Sequence, residues 1–329
     1  MVLGHDVTQI IPGKYKGPRF KRGHLIRRED IPEFLKIGKE HIYVMDLKTG
    51  IVHEDDAARR LGKAFSGKHI KMTGPSEGKV TFHSRINGVL KINIRVLHQI
   101  NLSKNVILST IHQHTACKPG MAIGATRIIS LTAPEGEIGK IENWCKKEGP
   151  VIEVLPYRKL NVGVVVTGNE FFHGRTEDRF DDRVGKKIFH LGSRVVKKRV
   201  VPDEIHQIAQ ALLELRSDDV DLILVTGGLS VDPDDVTRQA VKKAGTRIVF
   251  YGTPVLPGAM FLYGILKGKP VLGLPACVFH HNATLFDIIF ARILAGESPS
   301  RKEISLLGHG GFCMNCDLCH FPVCPFGKG

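Results

Sequence analysis

The chain has 329 residues, 42% of them hydrophobic and 24% charged, a globular composition that excludes a mainly disordered or collagen-like polymer and gives room for two or three domains. Lys and Arg number 47 against 33 Asp and Glu, a formal charge of +14 that favours anionic partners, yet aromatics are only 7% with a single Trp, so no platform for stacking single-stranded bases is evident. No apolar run reaches the roughly 18 residues of a membrane span, and Met1-Val2-Leu3-Gly4-His5-Asp6 lacks the apolar core of a signal peptide, so a cytoplasmic protein without membrane association is expected.

Val7 to Ile11 reads as a short strand that turns at Pro12-Gly13. The basic run that follows, from Lys14 to Arg28, suits either a solvated face or a nucleic-acid surface. Charge alone attracts polyanions without regard to their sequence, so no specific nucleic-acid partner is expected. A helix is predicted from Ile31 to Gly38, opening after Asp30 with Pro32 in its first turn, then a strand from His41 to Val44 and a helix through Glu54-Asp55-Asp56-Ala57-Ala58-Arg59-Arg60-Leu61. From Ser66 to Ala133 period-two alternation, as in Val89 to Val96, predicts half-buried strands. A small α+β segment over 1–55 and a β-rich domain over 56–158 follow from this reading. His112 and His114 fall on one strand face near Cys117, which suits either a second metal site or ordinary satisfied or exposed histidines.

The rhythm changes near Asn161. Val162 to Gly168, Asp221 to Gly228 and Pro270 to Pro275 are short apolar runs of the kind buried on both sheet faces. Between and after them, helices are predicted beyond Pro202-Asp203, from Val236 to Ala244 and from Thr284 to Leu294. Strands alternating with helices imply parallel βαβ units, hence an α/β domain with a doubly wound, mainly parallel sheet over 159–299. Ligands of such sheets bind beyond the carboxyl ends of the strands. Three segments should meet there: Thr167-Gly168-Asn169-Glu170, Thr226-Gly227-Gly228-Leu229-Ser230 and Gly273-Leu274-Pro275-Ala276-Cys277. Paired glycines let the main chain approach a ligand, and the following helix start favours a phosphate. Asp232, Asp234 and Asp235 crowd the same stretch, where a carboxylate serves either as a helix cap or as a holder of Mg²⁺ with phosphate oxygens. Cys277 reads either as a reactive thiol or soft metal ligand, or as a small buried hydrophobe.

The string Thr226-Gly227-Gly228-Leu229-Ser230-Val231-Asp232-Pro233-Asp234-Asp235-Val236-Thr237 resembles the signature of the molybdopterin-binding domain shared by MoeA-type and MogA-type molybdenum cofactor proteins. Thr167-Gly168-Asn169-Glu170 is similar to the family's Thr-Gly-Asp-Glu after the first strand, and Pro257-Gly258 through Gly273-Leu274-Pro275 resembles a later MoeA stretch. The resemblance covers roughly residues 160–298. It implies binding of molybdopterin, or its phosphorylated or adenylylated form, in cofactor biosynthesis, with Mg²⁺-dependent molybdenum insertion as the associated activity. Gly227, Gly228 and Ser230 then fall on the pterin-phosphate loop, with Thr167, Gly168, Asn169, Glu170, Thr226, Pro275 and Ala276 around the cofactor. Asp235 falls on the catalytic loop carboxylate, assisted by Asp232, and Lys186, Lys187 or Arg238 would neutralise phosphate charge. The chain departs from the family at Ala259-Met260, where MoeA proteins have Lys-Pro, at Ala276-Cys277-Val278, which replaces Gly-Asn-Pro, and at Asp182-Arg183-Val184, where Asp-Ser-Asn is expected. A nucleotide diphosphate hydrolase on the same domain and a non-enzymatic pterin carrier or sensor are the competing readings. Self-association and a molybdoenzyme or other cofactor-biosynthesis partner are also implied.

Four of the seven cysteines stand in a separate tail over 300–329. Cys313, Cys316, Cys319 and Cys324, followed by Pro325, are spaced x2, x2 and x4. Such thiols suit an iron–sulfur cluster or Zn²⁺, free structural thiols, or metal hand-over and redox pairing.

Overall fold

A computed structural model describes residues 3–44, 50–216, 219–230 and 235–328. The chain forms two compact units, one of residues 1–85, 92–111 and 119–153, the other of residues 86–91, 112–118 and 154–329.

In the first unit Val7–Ile11 and Tyr15–Phe20 make an antiparallel hairpin, turned where the Lys14 N–H donates to the Ile11 carbonyl at 2.9 Å. Helix Ile31–Lys36 follows, and its buried Phe34 stacks on Phe20 with ring centroids 4.2 Å apart. Strands Ile70–Ser76, Lys79–Ser84, Ala122–Ile128 and Val106–Thr110 form an antiparallel sheet in that spatial order. Helix Glu54–Phe65 packs on it with Ala57, Ala58, Leu61 and Phe65 buried, and its Arg60 pairs with Glu135 at 2.8 Å and Glu142 at 2.7 Å of helix Glu135–Glu148.

Two expectations are corrected here. His41 to Val44 is not a strand: only Val44 makes a bridge, to Leu3. Val89 to Val96 is not one strand either. Strand Gly88–Ile92 stops at Asn93, whose side chain accepts the Val96 N–H at 3.2 Å and caps helix Ile94–Asn101. Val96 and Ile100, four residues apart, are the buried face of that helix. The residues that alternate as a strand are shared with the start of a helix, and the Asn93 cap decides between the two.

The second unit is built on a six-stranded sheet of β1 (Asn161–Thr167), β2 (Arg194–Val201), β3 (Leu222–Thr226), β4 (Arg247–Tyr251), β5 (Leu262–Leu266) and β6 (Lys269–Leu274), in the spatial order β2-β1-β3-β6-β5-β4. The first four in that order are parallel; β5 and β4 join antiparallel. Helices α1 (Ile205–Glu214), α2 (Thr237–Lys243), α3 (Leu285–Leu294) and α4 (Arg301–Leu306) accompany it. Ile208 and Leu212 of α1 and Ala240 and Val241 of α2 pack with Val165, Ile223 and Val225 in one core. Phe286, Ile289 and Phe290 of α3 pack with Val164, Leu224 and Leu272 in the other. Because successive strand residues face opposite sides, the continuous apolar runs of β1 and β3 fill both cores. The sheet is therefore doubly wound and mainly parallel.

Candidate functional site

Register brings three strand tips to one edge. Val166 of β1 lies opposite Thr226 of β3, and Thr226 opposite Leu274 of β6. The residues that follow each of these positions leave the sheet together. They open on a cleft of about 620 Å³, lined by Thr167, Gly168, Glu170 and Phe171 after β1, by Thr226, Gly227, Gly228 and Asp235 after β3, and by Ala276, Phe279 and His280 after β6. This is the crevice beyond the carboxyl ends of parallel strands where open α/β sheets hold ligands.

The paired glycines are required first by packing. Gly227 and Gly228 have φ of +91° and +57°, and an added Cβ would stand 2.3 Å from the Thr167 carbonyl oxygen at the first and 2.5 Å from Thr237 Oγ1 at the second. Thr237 is fully buried at the start of α2; its hydroxyl donates to the Gly227 carbonyl at 2.9 Å and its N–H to the Gly228 carbonyl at 3.2 Å. Ligand approach is the purpose the sequence suggests for these missing side chains, but neighbouring protein atoms already occupy the space. Thr167 and Thr226 are buried as well, and Thr167 Oγ1 lies 3.5 Å from Thr237 Oγ1.

Asn169 and Asp203 latch the tip of β1 to the end of β2: the Asn169 N–H donates to Asp203 Oδ2 at 3.1 Å, and the Asp203 N–H to Asn169 Oδ1 at 3.3 Å. Asn169, Ser230 and Pro275 do not line the cleft; Asp203 does. Ser230 is exposed, whereas Leu229 is buried, its carbonyl accepting the Tyr251 hydroxyl at 2.8 Å. Asp232 and Asp234 lie outside the described residues.

Sequence reading misses Thr176, Glu177, Asp178 and Arg179, the loop that closes one side of the cleft, together with Phe171, Phe279, His280 and Asp203. No periodicity or motif marks that loop; the acidic-basic run from Glu177 to Arg179 was the available signal. Asp178 is engaged by Lys198 of β2, Nζ to Oδ2 at 2.5 Å. The described lining thus carries carboxylates Glu170, Glu177, Asp178, Asp203 and Asp235 against the guanidinium of Arg179 and the imidazole of His280. The expected phosphate-neutralising residues are elsewhere. Lys186 pairs with Asp182 at 2.9 Å, Lys187 with Asp287 at 2.7 Å, and Arg238 lies over the Tyr251 ring at 5.0 Å. Each is engaged by another partner, and none lines the cleft.

Cys277 is half-buried outside the cleft lining, and burial pushes its thiol up. His112 and His114 do not share a strand face: they lie in a loop and turn ahead of the short strand Ala116–Cys117, with His114 at φ +60°. His114 Nε2 stands 3.4 Å from Glu297 Oε2, and burial pushes the Cys117 thiol up to about 11. Among the described residues, no three His, Cys, Asp or Glu side chains are disposed as a ligand set for a metal ion. The four tail thiols are free, Cys313 and Cys324 half-buried, Cys316 and Cys319 exposed. No helix among the described residues is long and apolar enough to cross a membrane.

A doubly wound α/β unit with its crevice at the tips of β1, β3 and β6 defines the class of protein. Residues 163–295, less than half of the chain, match the family model described as "Probable molybdopterin binding domain". A second model, described only as a domain of unknown function, matches residues 1–46. A CinA-like protein of Citrifermentans bemidjiense is 37% identical over 90 residues, 27% of this chain and 22% of the relative. A molybdopterin molybdenumtransferase of Haemophilus influenzae is 27% identical over 161 residues, 46% of this chain and 39% of the relative. The chain therefore spans less than half the length of either relative. Among solved structures, the protein CinA from Thermoplasma acidophilum matches with a TM-score of 0.36 at 21% identity, over 41% of this chain and 98% of that one. The tungsten cofactor synthesizing protein MoaB from Pyrococcus furiosus matches with a TM-score of 0.33 at 20% identity, over 41% of this chain and 92% of that one.

Proposed function

We propose that the cleft at the tips of β1, β3 and β6 binds a phosphorylated molybdopterin, bare or nucleotide-extended, during molybdenum cofactor biosynthesis. The observation that carries this reading is the convergence of three strand tips, two of them glycine-bearing, on one crevice of about 620 Å³ within the matched segment. That volume suits a cofactor-sized ligand. Phe171 and Phe279 supply aromatic lining for a planar heterocycle. The carboxylates set a further condition. A phosphate beside Glu170, Asp203 and Asp235, with Arg179 as the fixed cation, is repelled unless a divalent ion intervenes. Mg²⁺ is ordinarily held by one or two carboxylates plus phosphate oxygens and needs no protein cage of its own, so these donors fit it. Arg179 would pair with the remaining phosphate oxygens, and Asp235 would place the ion. Molybdenum delivery to the pterin sulfurs, self-association and hand-over to a molybdoenzyme belong to the same proposal.

The carboxylates also favour a second reading, hydrolysis of a nucleoside diphosphate, with Glu170 or Asp235 drawing the proton from the attacking water. Full-length protein purified without oxygen and then oxidised should release fluorescent pterin. Its affinity for added pterin should fall on Mg²⁺ removal, and Asp235→Asn should weaken binding about tenfold, roughly 1.4 kcal/mol. Hydrolysis of ADP-ribose without pterin retention would select the second reading. Neither activity would sink both.

A further inference from the structure

The thiol-bearing tail is not used by the cleft, and its placement calls for a purpose. Cys313, Cys316, Cys319 and Cys324 all line one cavity of about 350 Å³, together with His281 and His320. His280 lines both this cavity and the cleft beyond β6. Both ends of the thiol-bearing arc are fastened to the unit that carries it. The Cys313 N–H donates to the Leu256 carbonyl at 2.8 Å, and the Gly327 N–H to the Gly310 carbonyl at 2.9 Å. Phe326 next to that second anchor is buried.

Between the anchors Cys313, Phe321 and Cys324 pack against the apolar core of the unit, whereas Cys316 and Cys319 stand exposed. No helix or strand is formed over 313–328, and Met314, Leu318 and Val323 are exposed. Short segments that cannot build an apolar core are ordered by a covalent or metal cross-link. The x2 spacings of Cys313, Cys316 and Cys319 let neighbouring sulfurs turn to one centre, and the x4 step to Cys324 returns the chain to it. His281 Nδ1 is paired with Asn315 Oδ1 of the arc at 3.2 Å.

We propose that Cys313, Cys316, Cys319 and Cys324 are the thiolate ligands of one thiophilic metal centre, Zn²⁺ or an iron–sulfur cluster, built in this cavity beside the pterin cleft. Binding draws the four sulfurs inward from the cavity wall and releases their protons, so occupancy falls in acid. The centre does not depend on the pterin reading, because its ligands and the cleft lining share no residue.

The test uses the full chain purified without oxygen. Zinc, iron and acid-labile sulfide are measured per chain, and Co²⁺ is offered to protein stripped by a chelator under reducing conditions. About one zinc per chain with tetrahedral-thiolate Co²⁺ spectra identifies the mononuclear form; iron with matching labile sulfide and visible absorbance bleached by dithionite identifies the cluster. Cys316→Ser combined with Cys319→Ser should lose the metal, and Cys277→Ser should keep it. Wild-type protein that carries neither metal and takes up neither Zn²⁺, Co²⁺ nor reconstituted iron and sulfide overturns the proposal, whatever its pterin content. So does full metal retention in the double variant, or recovery of the four thiols as two disulfides from protein handled anaerobically.

Discussion

The loop after β3 shows how a motif's residues divide their work. Gly227 is glycine because the Thr167 carbonyl lies 2.3 Å from where its Cβ would be, and because its φ of +91° disfavours any side chain. Gly227→Ala should therefore lower stability by about 2 kcal/mol or more. A urea midpoint equal to wild type would show that the loop relaxes freely. Thr237→Val keeps the shape but leaves the Gly227 carbonyl without its 2.9 Å partner, at a cost of about 1–3 kcal/mol. Both variants test packing rather than ligand contact. Of the residues the family resemblance names, Thr167, Gly168, Glu170, Thr226, Gly227, Gly228, Asp235 and Ala276 line the cleft and Asn169, Ser230 and Pro275 do not; residue types alone do not tell a glycine that admits a ligand from one that admits a neighbouring strand.

Among the elements, α3 depends on one buried charge. Arg292 is only 3% exposed; its Nε reaches Glu297 at 2.7 Å and its Nη2 reaches Glu303 of α4 at 2.7 Å. Burial works against the ionised form of Glu297, but the His114 contact and the Arg292 guanidinium outweigh it and hold the carboxyl at about 2. A carboxyl depressed from 4.5 contributes stability that is complete above pH 4.5 and is lost as pH falls towards 2, up to about 3 kcal/mol. Arg292→Met should cost about 3 kcal/mol at neutral pH, and its stability should change less steeply than wild type through that acid window. Urea titrations at a series of pH values would show it; parallel profiles would remove Arg292 from the account. The elements differ in how openly the sequence displays them. β1, β3 and β6 are legible because strands buried on both faces need unbroken apolar runs. β2 is not, since its Lys197, Lys198 and Arg199 interrupt the run on an edge strand where such residues reach solvent and carboxylates.

Across the whole molecule the charge of +14 and the carboxylate-rich cleft have opposite signs. Net basicity is thus no guide to the site. The chain should be retained on DNA at low ionic strength and released steeply by salt, with no preference for base sequence; a salt-resistant, sequence-selective complex would contradict this. The order of β1, β3 and β6 and of the helices α1, α2 and α3, and with it the edge on which the cleft opens, could be read from periodicity, because burial imposes repeating patterns on contiguous residues. The antiparallel strands β4 and β5, the loop that contributes Arg179, the diversion of Lys187 to Asp287 and the shared approach of Thr167, Gly227 and Thr237 could not. Those depend on which distant segments meet, and a contact between residues scores apart in the chain leaves no local pattern to read.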